Sequence, residues 1–259
     1  PHSAGSATVR QTGPMETLRK HRRGAPPGFF RVEAACLAWL ADAGAVRVAR
    51  VLAVDDDSIE LERLPHAPAT LQAAEAFGRD LAALHDAGAP AFGAPPAGWD
   101  ADGYIGDAPL PLRTEATWGT FYARHRIRPY LHAARHPVFE ALCDRLKAGD
   151  FDDAAPPARI HGDLWSGNLL WTPTGAALID PAAHGGHRIT DLAMLALFGA
   201  PQLGRVLAAY AEASEHLPDR WRDLVPLHQV HPLLVHAVLF GGGYVAQAER
   251  AASEALSLP

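Results

Sequence analysis

The sequence predicts an α+β fold in which a small antiparallel sheet with one helix precedes a larger, mainly helical part. Short runs of alternating polar and apolar residues fill the first sixty positions around a single helical stretch. From residue 70 onward, apolar residues recur mostly at helical spacing. A chain of 259 residues can form two closely packed lobes, which we place at residues 1–64 and 65–259.

Composition and charge disfavour several classes of protein. Hydrophobic residues make up 48% and charged residues 20% of the chain, as in globular proteins, and no apolar run is long enough to cross a bilayer. A net charge of −6 disfavours a nucleic-acid-binding surface, which needs clustered Lys and Arg. Cys36 and Cys143 lie in apolar helical stretches, so we expect buried reduced thiols. Since the sequence shows no signal peptide, we expect a cytoplasmic protein.

The first part is predicted to contain two hairpins and one helix. Residues 5–13 and 15–20 alternate as strands do and meet at a Gly-Pro turn. A Gly-Ser-Ala stretch at 5–7 is a candidate loop over phosphates. Residues 31–44 have helical periodicity and end in a glycine cap, and residues 46–64 give two strands around an Asp-rich turn.

The second part is predicted to be mostly helical. Helices are expected at 71–88, 191–199, 202–214 and 226–248. Residues 91–131 form a long Gly/Pro-rich loop that enters an aromatic helix, whose Trp118 and Phe121 we expect in the core. His85 is expected to be packed and hydrogen-bonded. Three nearby histidines lack a Cys, Asp or Glu at ligand spacing, and we expect them to be structural: His228, His231 and His236.

The stretch from 161 to 180, HGDLWSGNLLWTPTGAALID, places polar residues at the ends of a strand-turn-strand pattern. Asn168 follows Asp163 by five residues, and the second apolar run ends in Asp180. Transfer of a phosphoryl group from ATP needs a carboxylate to accept the hydroxyl proton and oxygen ligands to hold Mg²⁺ on the phosphates. Asp163 suits the first task, and Asn168 with Asp180 suits the second.

This order of residues is that of the protein-kinase catalytic loop, which directs attention to a Lys-Glu pair upstream. In that fold a strand Lys binds the ATP phosphates and pairs with a Glu on the next helix, and Lys20 and Glu33 stand in those places. The chain has only two lysines among 23 cationic residues, and a planar guanidinium does not replace a compact ammonium. Lys20 is therefore a candidate nucleotide-binding residue, whereas Lys147 at a helix end is expected on the surface.

Around this skeleton the sequence resembles the fructosamine kinase family. HGDLWSGN, then DPA, a Gly-His pair and DLAM match the family signature. The residues that separate it from the broader aminoglycoside phosphotransferase pattern are Trp165, Pro181, Gly186, His187 and Asp191. The resemblance implies a two-lobed protein-kinase-like fold with ATP and Mg²⁺ as cofactors.

The resemblance also implies roles for further residues. The crossover between lobes would offer backbone groups to the adenine edge, with Glu62, Arg63 and Leu64 closest to it. Asp191, at the start of a helix, would accept backbone amides and brace the catalytic loop. His161 would support the same loop.

The resemblance points to a kinase that phosphorylates the 3-hydroxyl of a ketosamine, such as a fructosamine or ribulosamine. The acceptor would be a free molecule or a protein side chain, and the reaction would reverse protein glycation. Trp165, beside the proposed base, is a candidate for stacking on the sugar or its amine. Tyr104 is a candidate for the rim of the acceptor pocket.

Two other functions stay open from the sequence. An aminoglycoside or choline phosphotransferase would favour an acidic acceptor pocket, and the loop before the signature is acidic, with Asp150, Asp152 and Asp153. Trp165 and Pro181 argue against this function. A catalytically inactive nucleotide-binding scaffold is the third hypothesis, and the presence of every polar residue that catalysis needs argues against it.

Overall fold

The computed structural model describes residues 16–259. The predicted strand at 5–13 and the predicted loop at 5–7 lie outside these residues. The strands are β1 Thr17–His21, β2 Arg47–Val48, β3 Val51–Val54, β4 Ser58–Glu62, β5 Gly103–Ile105, β6 Ala108–Leu110, β7 Ala158–Ile160, β8 Leu169–Thr172, β9 Gly175–Leu178 and β10 His184–Gly186. The α-helices are α1 Phe29–Asp42, α2 Leu71–Asp86, α3 Trp118–Phe121, α4 Pro137–Ala148, α5 Ile189–Phe198, α6 Leu203–Ala213, α7 Val225–Phe240 and α8 Tyr244–Leu256.

An antiparallel sheet in the order β1-β4-β3 opens the described chain. The hairpin predicted within residues 46–64 is present as β3 and β4. Its Asp-rich turn forms because the Asp55 carboxylate accepts the amides of Asp57 at 2.9 Å and Ser58 at 2.6 Å, an arrangement that Asp favours. β1 pairs with β4 and places Lys20 opposite Ile59.

Helix α1 lies between two left-handed glycines. It begins after Gly28, with φ at 78°, and the chain leaves it at Gly44, with φ at 65°. Glycine adopts such angles without steric cost. The helix starts two residues earlier than predicted and packs its apolar face, including Leu37 and Leu40, into the main core.

A two-residue strand joins the two parts of the chain. β2 pairs in parallel with β9, with Val48 opposite Leu178, so the sheet β2-β9-β8 draws on both sides of position 64. The main core crosses the same position, since it contains both Leu37 of α1 and Phe77 of α2. A strand of two residues carries no periodicity of its own, so residues 46–64 were predicted as two strands and not three.

The long loop at 91–131 contains structure of its own. β5 and β6 form a hairpin within it, and α3 continues into one turn of π-helix at Tyr122–Ile127. Trp118 and Phe121 are buried, as predicted. The hairpin escaped prediction because each of its strands has only three residues.

The single helix predicted at 226–248 is wrong. α7 ends at Phe240 and α8 begins at Tyr244, with three glycines between them. Gly241 and Gly242 both have φ at 65°, which ends a right-handed helix. The apolar periodicity on either side conceals this break.

Both cysteines are buried and free, as predicted. Within residues 16–259 none of the helices has the length and apolar character needed to cross a bilayer.

Candidate active site

The loop between β7 and β8 carries the proposed base. Gly162 has φ at 81°, and a Cβ there would lie 2.2 Å from the Ala182 carbonyl oxygen, so only glycine fits. The loop closes at Asn168, whose amide donates to the Trp165 carbonyl at 2.9 Å. The predicted hairpin follows as β8 and β9, and the amide of Ile179 donates to the Asn168 carbonyl at 3.2 Å.

Asp163 is half-buried and held by its neighbour in the motif. The Asn168 side-chain amide donates to the Asp163 carbonyl oxygen at 2.8 Å and to its carboxylate at 3.0 Å. The pKa of Asp163 is raised to about 7, chiefly by burial and also by the charges of Asp180 and Asp191, while the Asn168 hydrogen bond acts in the opposite direction. A carboxylate with this pKa is suited to general-base catalysis near neutral pH.

Asp180 directly follows β9 in an unusual backbone conformation. Its φ is 53°, in the left-handed region that Asp tolerates better than most residues. Its side chain is 41% exposed, and Asn168 Nδ2 approaches the Asp180 carbonyl oxygen at 3.4 Å. The structure thus brings Asp163, Asn168 and Asp180 into one site.

Lys20 joins the first part of the chain to this site. Its ammonium donates to Glu33 Oε1 at 2.7 Å and also forms an ion pair with Asp180. Burial lowers the pKa of Lys20, but the two carboxylates outweigh burial and the net pKa lies above its ordinary value. The ammonium is therefore charged and is held at the edge of the proposed metal site.

Asp191 is buried beneath the catalytic loop. Its carboxylate accepts the backbone amides of His161 at 2.8 Å and Gly162 at 2.9 Å. His161 Nε2 donates to the Ile179 carbonyl at 2.9 Å, and its Nδ1 accepts the amide of Asp163 at 3.2 Å. Burial lowers the pKa of His161, which keeps the ring neutral and able to accept that amide. Both residues contact the loop rather than the cavity.

His85 supports the catalytic loop through its contact with Asp191. The sequence did not predict this role. Its Nε2 donates to Asp191 at 3.1 Å, and the Tyr210 hydroxyl lies 2.7 Å from its Nδ1. Burial lowers the pKa of His85, so a neutral ring bridges the two groups. The sequence predicted a packed, hydrogen-bonded histidine, but its partners are too distant in the chain to be read from spacing.

A cavity of about 370 Å³ opens beside the catalytic loop. Its polar wall is formed by Lys20, Glu33, Asp163, Asn168 and Asp180, and its apolar wall includes Phe30, Cys36, Leu110 and Leu112. The two residues predicted to meet the acceptor, Trp165 and Tyr104, also line it. The apolar lining from the β5–β6 hairpin was missed, because the hairpin itself was not predicted.

Trp165 and Tyr104 differ in how far contacts with neighbouring residues restrain their side chains. The Trp165 side chain is 41% exposed. Tyr104 is tied to the start of α1, because its hydroxyl donates to the Pro27 carbonyl at 3.2 Å and its ring lies 5.2 Å from that of Phe29. Trp165 is thus the more available of the two for contact with a ligand.

The crossover residues lie apart from this cavity. Glu62 accepts the amide of Arg50 at 3.1 Å, and the Arg63 amide donates to the Glu16 carbonyl at 2.8 Å. Because that amide is already hydrogen-bonded, an adenine edge would need another backbone donor from the crossover. Leu64 is buried in a small apolar cluster with Ala49 and Ala177, against which Leu170 and Ile179 pack.

The donors at the site fit Mg²⁺ and the phosphates of ATP. Asp180 offers a partly exposed carboxylate, and Asn168 has its side-chain nitrogen turned to Asp163, which leaves its oxygen as a ligand. Among residues 16–259 no group of three His, Cys, Asp or Glu could hold a metal alone. An ion here would take its other ligands from phosphates and water, as Mg²⁺ commonly does.

The acidic loop before the signature does not reach the cavity. Asp150 pairs with Arg145 at 2.7 Å, Asp152 accepts the amide of Gly119 at 3.2 Å, and Asp153 pairs with His187 at 3.1 Å. These carboxylates have structural partners. They do not supply the acidic acceptor pocket that a polycationic substrate would favour.

Comparison with known proteins identifies the family. The sequence pattern of the fructosamine kinase family matches residues 15–257. A "Probable ketoamine kinase" of Thermus thermophilus is 37% identical over 235 residues, covering 88% of this chain and 83% of the relative.

Solved structures agree with this match. A crystal structure from Thermobifida fusca that bears the name fructosamine-3-kinase is 45% identical, with a TM-score of 0.86, covering 94% of this chain and 86% of that one. The choline kinase of Streptococcus pneumoniae, at 15% identity, has a TM-score of 0.59 and covers 98% of this chain and 92% of its own, which shows the fold alone. The predicted α+β, two-lobed kinase-like fold is confirmed, and the chain belongs to the fructosamine kinase family.

Proposed function

We propose that this chain transfers the γ-phosphoryl group of ATP to the 3-hydroxyl of a ketosamine in a Mg²⁺-dependent reaction. The observation that carries the proposal is the meeting of Lys20, Asp163, Asn168 and Asp180 at one cavity wall. These residues supply what phosphoryl transfer needs, namely a base, metal ligands and a cation for the phosphates. The relatives named for ketoamine and fructosamine kinases support the choice of acceptor.

Asp163 acts on the attacking hydroxyl. The acceptor oxygen forms a bond to the γ-phosphorus, the bond from that phosphorus to the bridging oxygen of ADP breaks, and the hydroxyl proton passes to the Asp163 carboxylate. The Asn168 hydrogen bond fixes the orientation of that carboxylate. General-base help of this kind contributes roughly 10²- to 10⁴-fold in rate.

Lys20, Asn168 and Asp180 position the phosphates. Bound Mg²⁺ would neutralise the charge that develops on the transferred group, with Asn168 and Asp180 as its protein ligands. Glu33 holds the Lys20 ammonium in place, as the kinase Lys-Glu pair does. Leu170 and Ile179, which are partly buried against Leu64, would offer an apolar surface to the adenine ring.

The acceptor enters beside Trp165. A ketosamine presents sugar hydroxyls together with a protonated amine, and an aromatic face attracts such a cation. Trp165 lies two residues from the base and lines the cavity, so it would stack on the sugar or its amine. Phosphorylation would make the adduct labile, and the reaction would thereby remove sugars from amines on small molecules or proteins.

An acceptor panel tests this function. ATP consumption would be measured with Mg²⁺ and with a chelator, using ribuloselysine, fructoselysine, kanamycin, choline and homoserine as acceptors. We expect Mg²⁺-dependent turnover on the ketosamines alone. Turnover confined to kanamycin or choline would contradict the proposed acceptor. The absence of turnover with all five acceptors would contradict the proposed activity.

A further inference from the structure

Four aromatic side chains extend outward from the cavity mouth beyond Trp165. We call this set the aromatic patch: Phe198, His236, Phe240 and Tyr244. The Phe198 ring lies 6.4 Å from that of Trp165 and 4.7 Å from that of His236. His236 lies 5.5 Å from Phe240 and 5.0 Å from Tyr244. The rings form a continuous path from the catalytic loop to the surface.

Phe240 is exposed to a degree that core packing does not explain. At 67% relative exposure it is the most exposed large hydrophobic side chain in the described residues. The glycine turn between α7 and α8 brings it within 6.5 Å of Tyr244. A Cβ added at Gly241 or Gly242 would meet nothing within 4 Å, so these glycines serve the turn itself. Exposed apolar patches of this kind mark interaction sites.

The helix that carries His236 and Phe240 also approaches the acceptor cavity at a second point. Gly106, in the turn between β5 and β6, lines the cavity. A Cβ at Gly106 would lie 3.1 Å from Leu239, the residue before Phe240. The cavity rim thus contacts the end of α7, close to the base of the patch.

The charge of the patch suits a cationic or neutral ligand. His236 Nδ1 donates to the Pro232 carbonyl at 2.7 Å, and burial lowers the pKa of the ring, so it is neutral at neutral pH. Aromatic faces attract ammonium groups and pack against alkyl chains.

We propose that the aromatic patch binds the peptide that carries the ketosamine, receiving the alkyl chain of the modified lysine and the residues beside it while the sugar occupies the cavity. This inference rests on the proposed function. A peptide is favoured over a second copy of this chain because the rings continue from Trp165, which lines the cavity, through Phe198 and His236 to Phe240, so a chain attached to a sugar in the cavity would leave across them.

Two acceptors with the same sugar separate the patch from the cavity. One is the fructose ketosamine of methylamine, which has the sugar and the ammonium but no chain. The other is a short peptide with fructose on a lysine side chain. For Phe240→Ala we expect kcat/KM on the peptide to fall roughly three- to tenfold, mainly through KM. The Phe240→Ala variant should use the methylamine ketosamine as well as the unmodified protein does, because this acceptor does not reach Phe240.

Matched variants control for indirect effects. Phe240→Tyr keeps the ring and should retain the peptide KM. Leu71→Ala removes another exposed apolar side chain, 52% exposed at the start of α2. It should leave kcat/KM unchanged on both acceptors. An unchanged peptide KM in Phe240→Ala, or an equal loss on both acceptors, would overturn the inference while leaving the proposed function intact. Failure of the unmodified protein on both acceptors would overturn the proposed function and this inference with it.

Discussion

Burial raises the pKa of Asp163 to about 7, and the nearby charges of Asp180 and Asp191 act in the same direction. A general base works only when ionised, so its active fraction declines as the pH falls below this value. We expect kcat/KM for the acceptor to fall as the pH drops through about 7, with a slope of one proton. A pH profile of kcat/KM on either side of neutrality measures this directly, since it reports groups of the free enzyme.

The contradicting result is an acid limb in the ordinary carboxyl range, near about pH 4. It would show that burial does not govern the titration of the base. A parallel pH profile of protein stability serves as the control, because loss of fold at low pH would imitate loss of ionisation.

Lys20 is a residue at which Lys and Arg should not be interchangeable. Its compact ammonium contacts Glu33 and Asp180 together, and a planar guanidinium cannot occupy the same point. We expect Lys20→Arg to lower kcat/KM for ATP roughly 10²-fold, measured by steady-state kinetics at saturating acceptor.

Lys147 provides the matched control. It lies at the end of α4 and pairs with Asp144 at 2.8 Å. Lys147→Arg should leave the kinetics unchanged. Equal behaviour of the two variants would refute a specific role for the Lys20 ammonium.

Single residues were predictable where residue type and spacing express chemistry. Asp163, Asn168 and Asp180 stand out because a base and two oxygen ligands must occur in that order. The backbone hydrogen bonds of the crossover were not predictable, such as the one from the Arg63 amide to the Glu16 carbonyl. A backbone amide leaves no trace in residue identity.

At the scale of elements, Asp191 connects the start of α5 to the catalytic loop. Burial raises its pKa, but the hydrogen bond from His85 and the loop contacts outweigh burial, and the net pKa is lowered. The carboxylate is therefore ionised and accepts two loop amides at once. The loop geometry depends on both acceptor oxygens.

Asp191→Asn should weaken the loop. An amide keeps one acceptor oxygen but turns an NH₂ group toward a donor, which leaves buried groups unpaired. We expect the free energy of unfolding to fall by about 3 kcal/mol, as measured by denaturant unfolding, together with a loss of turnover. Asp55→Asn is the control. Asp55 also accepts two amides, but it lies in an exposed turn, so the free energy of unfolding should fall much less in this variant. Equal losses would contradict a special role for the buried carboxylate.

Elements with strong local signals were predictable, and those set by distant contacts were not. The β8–β9 hairpin and helices α1, α2 and α6 follow from periodicity and turn residues. β2 exists because a strand 130 residues away in sequence offers it a parallel partner. The α7–α8 break depends on three adjacent glycines, whose effect the apolar periodicity masked.

At the scale of the molecule, the site lies where the two predicted parts meet. Lys20 and Glu33 come from the first part, and Asp163, Asn168 and Asp180 come from the second. The shared core and the β2–β9 pairing tie these parts together. The boundary at residue 64 stays a prediction.

The overall fold could be predicted because the catalytic order of residues is tied to one architecture. Fold class and the polar side of the site follow from the stretch 161–180 with Lys20 and Glu33. The apolar side could not be predicted, since Leu110 and Leu112 reach the cavity only through a hairpin whose place depends on the folded molecule. For the same reason the aromatic patch joins residues from α5, α7 and α8 that no spacing rule connects.

Phosphoryl transfer by Asp163→Asn tests the proposed role of Asp163 as the base. Asn is close to Asp in size and cannot accept the proton, so the fold and ATP binding should persist. Transfer from ATP to a ketosamine would be followed in a single turnover, with ATP affinity measured on the same protein. We predict a loss of roughly 10²- to 10⁴-fold in rate with ATP affinity nearly unchanged. Full activity in Asp163→Asn would show that Asp163 is not the base.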